Sequence, residues 1–124
     1  MLREVTRKEY MYYFNKLQKG KEDIDTSKYS NTYYALDNDA YVGIEYLKKG
    51  VVNINGLFSL QKGKGEELLQ TLIRRFQTES RSVVVLNCTK ALRDNYYKKL
   101  NLPVIIHEAW SKSDLDYVEL VMFL

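Results

Sequence analysis

The stretch Ile54-Asn55-Gly56-Leu57-Phe58-Ser59-Leu60-Gln61-Lys62-Gly63-Lys64-Gly65-Glu66-Glu67-Leu68-Leu69 decides how this chain is read. Val51 to Ser59 has the β-branched and aromatic content of a strand. Beyond Gly65, residues Leu68, Leu69, Leu72, Ile73 and Phe76 recur at i, i+1, i+4, i+5 and i+8, which is one apolar face of a helix. Between them lies a short Gly-x-Gly loop. A strand that runs through such a loop into a helix exposes successive backbone N–H groups, and the helix start adds partial positive charge. Glycine there lets the chain approach a phosphate without a Cβ in the way. The segment therefore reads as an anion cradle. It is neither a Walker loop, since G-x-x-x-x-G-K-[ST] is absent, nor a dinucleotide fingerprint, since the third glycine is missing.

Upstream, Leu2 to Val5 reads as a short strand. Thr6-Arg7-Lys8-Glu9 fits a capping box that opens a helix, and Tyr10, Tyr13, Phe14 and Leu17 follow on one face. Lys19-Gly20 marks its end, and residues 21–31 read as a polar loop. Thr32–Leu36, Tyr41–Leu47 and Val51–Ser59, joined by the turns Asp37-Asn38-Asp39 and Lys48-Lys49-Gly50, form an antiparallel meander. Downstream, the apolar run Ser82–Asn87 predicts a strand covered on both faces. Thr89 caps a helix reaching about Leu100, with Leu92, Tyr96 and Leu100 on one side. Asn101 suits a left-handed cap, and Pro103 blocks continuation. Val104–Trp110 and Tyr117–Phe123 close the chain as two strands around the polar loop Ser111-Lys112-Ser113-Asp114. The order strand, helix, three strands, helix, strand, helix, two strands predicts a mixed α/β (α+β) sheet flanked by helices.

The 124 residues fit one domain, 1–124, with a single core. Hydrophobic residues at 45 % and charged residues at 28 % are those of a folded, water-soluble chain. No apolar run is long enough to span a bilayer. No signal-like h-region follows Met1, and the lone Cys88 excludes an internal disulfide, so a cytoplasmic protein is expected. One His and one Cys make a zinc site improbable on ligand count. The net charge of +3 is unevenly spread: residues 59–99 hold nine basic and four acidic residues, and residues 100–124 hold one and four. The middle of the chain favours an anionic ligand, or is simply a solvated basic face.

Gly63-Lys64-Gly65 with Leu68-Leu69 resembles the pyrophosphate loop of the GNAT (N-acetyltransferase) superfamily, Gln/Arg-x-x-Gly-x-Gly/Ala. Tyr96-Tyr97-Lys98-Lys99-Leu100-Asn101-Leu102 is similar to that family's Phe-Tyr-x-Lys-x-Gly-Phe segment, and the element order matches along nearly the whole chain. The resemblance implies a GNAT-like sheet and transfer of an acetyl group from acetyl-coenzyme A to an amine of a small molecule or protein. It implies that Gln61, Lys62, Gly63, Lys64 and Gly65 hold the pyrophosphate. Leu57, Phe58 and Ser59 would pair with the pantetheine arm where the fourth and fifth strands splay, an amide there serving as oxyanion donor. Tyr97 would protonate the departing thiolate. Asn87, Lys90 and Arg93 are further expected cofactor contacts. The chain departs from the pattern at Leu60, which stands at the Gln/Arg position, at Arg93, where a small Ala is usual, and at Lys90, where Asn is usual.

A general base is less plain. The fourth strand offers Asn53 and Asn55, which cannot take a proton, so Glu45 on the preceding strand is the nearest carboxylate, with His107 and Asp116 as alternatives. Cys88 reads as a small buried hydrophobe. Tyr29, Tyr33 and Tyr34 are either sheet-face tyrosines or an aromatic wall for a cationic acceptor. No membrane partner is expected, and the apolar end Val121–Leu124 could complete the sheet or extend it across a homodimer. Two rival functions stay open. One is a catalytically inactive GNAT-fold binding or regulatory protein. The other is a nucleic-acid-binding module using the 59–99 basic stretch, although no RNA-binding signature is present.

Overall fold

A computed structural model describes residues 1–17, 30–111 and 116–124. Its elements follow in the order β1 (Leu2–Val5), α1 (Arg7–Leu17), β2 (Thr32–Leu36), β3 (Ala40–Tyr46), β4 (Val51–Ser59), α2 (Lys64–Thr78), β5 (Val83–Thr89), α3 (Lys90–Asn95), β6 (Ile106–Ser111) and β7 (Tyr117–Phe123). The seven strands form one sheet in the order β1-β2-β3-β4-β5-β7-β6. Every adjacent pair is antiparallel except β4–β5, which is parallel and joined by the α2 crossover. The sheet is thus mixed and flanked by helices, as the element order predicts. The helix end at Lys19-Gly20, most of the 21–31 loop, Tyr29 and Lys112 to Asp114 lie outside the described residues.

Strand alternation sends neighbouring side chains to opposite faces, and each face carries its own core. On one side, Leu68, Leu69, Leu72, Ile73 and Phe76 of α2 are fully buried against Val42, Ile44, Val52, Val84, Leu120 and Met122. Burial of each such side chain contributes roughly 1.5–3 kcal/mol, so α2 is anchored far more strongly by packing than by helix propensity. On the other side, Tyr10 and Phe14 of α1 pack on Tyr33, Tyr41 and Phe58. These rings interlock edge to face and in stacks, with Tyr10–Phe58 at 5.2 Å and Tyr41–Phe58 at 5.5 Å between centroids. Thr6 caps α1, its Oγ1 accepting from the Glu9 amide at 3.1 Å. The Glu9 carboxylate, however, accepts from Arg3 at 2.7 Å, so the box is joined to β1 by an ion pair.

Several sequence expectations are corrected. Strand β5 is buried on one face only: Val84, Leu86 and Cys88 are interior while Asn87 is exposed, because α1 covers β2 to β4 and does not reach it. Helix α3 stops at Asn95, and Tyr97–Lys99 continue as a tighter three-residue-per-turn coil. Tyr96 at the junction has φ −129° and ψ −69°. The change of pitch rotates the following residues, so Tyr97 is the buried tyrosine and Leu92 is exposed. Asn101 does not adopt a left-handed conformation. Its backbone is held by side chains instead, with its amide donating to Glu66 at 2.8 Å and its carbonyl accepting from Gln70 at 2.6 Å. Tyr33 and Tyr34 face opposite cores, so they do not share an aromatic wall.

Candidate active site

The site begins where β4 and β5 part. Their parallel ladder covers only Val51–Ile54 against Val83–Leu86. Past Ile54, β4 bulges: Tyr41 pairs with Phe58 and Gly43 with Asn55, so Gly56 and Leu57 together oppose Val42. Gly56 takes φ +66°, a conformation that a side chain would strain. Its carbonyl accepts from the Tyr10 hydroxyl at 2.5 Å, which ties the bulge to α1. Strand β4 therefore swings away from β5, and its edge from Asn55 to Ser59 has no β5 partner.

Two adjoining cavities fill the split. The inner one, about 200 Å³, is lined by Leu57, Phe58, Ser59, Leu92, Tyr96 and Tyr97. The outer one, about 420 Å³, is lined by Ser59, Lys62, Gly63, Gly65, Glu66, Asn95, Tyr96, Lys99 and Leu100. They meet at Ser59 and Tyr96, which line both. The outer cavity lies at the start of α2. Gly63 is the residue before that helix, at φ +83°, and a Cβ there would meet nothing within 4 Å. Space beside the helix start is therefore open, and the first-turn amides and helix dipole face it. The exposed Lys62 and Lys99 add positive charge at the same rim.

At the inner end, Tyr97 is 6 % exposed and belongs to the α2-side core. Burial above all, then the neighbouring Cys88 and Tyr96, pushes its hydroxyl above the ordinary tyrosine value. It stays protonated at neutral pH, and among the described residues no hydrogen bond engages it. Cys88 is itself buried, which raises its thiol and keeps it uncharged.

Of the expected cofactor residues, Leu57, Phe58, Ser59, Lys62, Gly63 and Gly65 come together in this groove with Tyr97. Gln61, Lys64, Asn87, Lys90 and Arg93 do not line it. The Gln61 amide donates to Asp39 at 2.9 Å, and Lys64 is paired with Glu67 at 3.1 Å. Asn87 is exposed on the sheet face away from α2. Lys90 starts α3, its amide held by the Asp116 carbonyl at 2.9 Å. Arg93 turns to β6, where its Nη1 donates to both Glu108 oxygens at 3.0 Å. Glu45 lies outside the groove on the opposite sheet face, opposite Asn53, whose amide donates to it at 3.5 Å. Leu92, Tyr96 and Leu100, which the sequence placed on one side of the helix, also line the groove, as do Asn95 and Glu66, for which no cofactor contact was expected. Lys99 lay in the quoted Tyr-Tyr-Lys-Lys segment, and that match was the signal for it. Five of the nine basic residues of 59–99, Lys64, Arg75, Arg81, Arg93 and Lys98, are in ion pairs, but among these partners only Glu108 lies outside the stretch, so most of its positive excess remains.

No family model matches the sequence, and no curated protein matches it. Solved structures do. A GNAT-family acetyltransferase from Staphylococcus aureus Mu50 superposes with a TM-score of 0.67 at 13 % identity, over 100 % of this chain and 98 % of that one. A Bacillus subtilis acetyltransferase solved in complex with CoA gives 0.63 at 17 %, over 100 % and 97 %. The Escherichia coli ribosomal-protein-S18-alanine N-acetyltransferase gives 0.63 at 13 %, over 100 % and 92 %. The chain has the GNAT fold. The split between β4 and β5, the β4 bulge and the glycine loop at the start of α2 are where this GNAT fold places an open, positively rimmed groove. No helix among the described residues is long and apolar enough to cross a membrane.

Proposed function

We propose that the protein is an acyl-coenzyme A-dependent N-acyltransferase, using acetyl-coenzyme A to acetylate an amine of a small molecule or protein. The observation that carries this reading is the continuous groove in the β4–β5 split. It runs from a glycine-led helix start with Lys62 and Lys99 at its rim to an end beside a buried, protonated tyrosine. The residues present fit a thioester on a long diphosphate-bearing arm: a glycine with free space beside it at one end, an unpaired strand edge along the middle, and a proton donor at the other.

Coenzyme A, when bound, supplies an activated acyl carbon and a thiolate leaving group. The chain supplies the rest. Backbone amides about Gly63 to Gly65, with the α2 dipole, hold the diphosphate, and Lys62 and Lys99 add charge. The edge of β4 at Leu57 to Ser59 orients the arm as an added strand, and an amide there donates to the acyl oxygen. Tyr97 delivers its proton to the leaving sulfur, and its burial holds the hydroxyl in the protonated form. Glu45 relieves the incoming ammonium of a proton through water. Glu45 and Tyr97 sit on opposite faces of the sheet. That separation suits an amine arriving from one face and an acid acting from the other.

Calorimetric titration with acetyl-coenzyme A, beside a Gly63→Glu variant, tests the reading. The native chain should bind at micromolar level. The variant puts a carboxylate and a strained left-handed side chain where the diphosphate belongs. It should lose about 10- to 100-fold in affinity, the worth of one to two charge-assisted hydrogen bonds. Absence of binding by the native chain would reject the acyltransferase reading in favour of a non-enzymatic use of the fold.

A further inference from the structure

Tyr96 stands at the place where the two cavities meet. A Cβ built on Gly65 would come within 2.7 Å of the Tyr96 hydroxyl, 3.4 Å of Ser59 Cβ and 3.6 Å of Leu57 Cδ2. The hydroxyl of α3's last neighbour therefore rests directly against the first turn of α2, in a seat that only glycine leaves open. Tyr96 lines both cavities, with its hydroxyl at the glycine loop. An arm lying in both cavities has to pass this point.

We propose that Tyr96 is a gate on the cofactor groove: it rests closed on Gly65 and must swing aside for coenzyme A to span the two cavities. The inference rests on the acyltransferase reading and concerns how that same groove is loaded. Three observations carry it. Tyr96 is the one aromatic side chain lining both cavities. Among the described residues no hydrogen bond holds its hydroxyl, so rotation about χ1 breaks only packing. Its backbone is fixed while the side chain turns, since its amide donates to Leu92 at 2.9 Å and its carbonyl accepts from Lys99 at 3.0 Å. Tyr97, by contrast, is enclosed in the core and is in no position to swing. Gly65 is thus conformationally ordinary but sterically required: its φ is not left-handed, and what it provides is room for the hydroxyl.

A closed resting state lowers the apparent affinity by the fraction of molecules that are open. A minor open state of about 10 % costs about tenfold. The test is stopped-flow binding of acetyl-coenzyme A to the native chain, Tyr96→Ala and Tyr96→Phe, with the fold of each checked by circular dichroism. Tyr96→Ala should associate about tenfold faster and bind correspondingly tighter. Tyr96→Phe, which keeps the ring but loses the hydroxyl that rests on Gly65, should gain less and should fold without difficulty. A native chain that binds, with neither variant associating faster, overturns the gate and leaves the acyltransferase reading standing. No binding by any of the three overturns both. Binding by Tyr96→Ala alone would be the strongest form of the expected result.

Discussion

The two ends of the groove are built by opposite means. The outer end is made chiefly of backbone and charge: an exposed Gly63 in a left-handed conformation, the amides of a helix start, and two exposed lysines. The inner end is built on packed side chains: Phe58 and Tyr97 are each under 10 % exposed and belong to the two cores that sandwich the sheet, with the exposed Leu92 at its mouth. A charged ligand group is best met where water remains and fixed dipoles point at it. Proton transfer to a leaving atom is best placed where packing fixes the donor and keeps it protonated. On the proposed function, one groove divides binding from chemistry, and substitutions at its two ends should fail in different ways.

The largest effect belongs to the inner end. Tyr97→Phe should lower turnover by about 10²–10⁴-fold while acetyl-coenzyme A affinity, read by calorimetry, stays close to native. The pH profile sharpens this. The protonated hydroxyl is the working form, and burial raises its titration above the ordinary value of 10.0. A raised value extends the active form to higher pH, so turnover should show no loss from this group up to about pH 10. An alkaline fall centred below that and retained in the residual activity of Tyr97→Phe would belong to another group, whereas one that vanishes in the variant would keep Tyr97 as the acid and break the claim that burial raises it. Unchanged turnover in the variant would break the assignment.

The difference between the ends also explains what could be read from the sequence. The outer end is a local device. Gly63-Lys64-Gly65 before Leu68-Leu69 announces both the turn and the helix, and the structure places Gly63 as the left-handed residue before α2. The seven strands and α2 are equally local, since their periodicity survives any packing. The inner end is not local. Which of Tyr96 and Tyr97 enters the core depends on where α3 stops, and extending the helical period to Leu100 pointed to Tyr96. The chain tightens after Asn95, and Tyr97 is the one buried. The fate of the cations was illegible for the same reason. Arg93 and Lys64 carry charge suited to phosphates, but Glu108 is fifteen residues from Arg93 in sequence and becomes its neighbour only once β6 joins the sheet.

Smaller effects sharpen the outer end. Lys99→Ala and Lys62→Ala should each weaken acetyl-coenzyme A binding by about three- to tenfold at low salt, with the difference shrinking as ionic strength rises. Turnover at saturating cofactor should be unchanged, the reverse of Tyr97→Phe. A salt-independent loss would mean that these lysines act by packing and not by charge.

The smallest effect on binding is expected at Arg93, and it discriminates between pattern and place. By sequence Arg93 stands beside Lys90 on the helix that flanks the groove, and a phosphate contact is a fair expectation. In the fold its guanidinium is shared between Glu108 and Asp94 at 3.0 Å, joining α3 to β6. To reach a phosphate it would have to abandon both carboxylates. Arg93→Ala should therefore leave cofactor affinity where it was, while lowering the thermal midpoint by freeing Glu108 and loosening β6 from α3. An affinity loss matching that of Lys99→Ala, with no change in the midpoint, would mean that the ion pair opens in the loaded protein. The outer end would then extend onto α3.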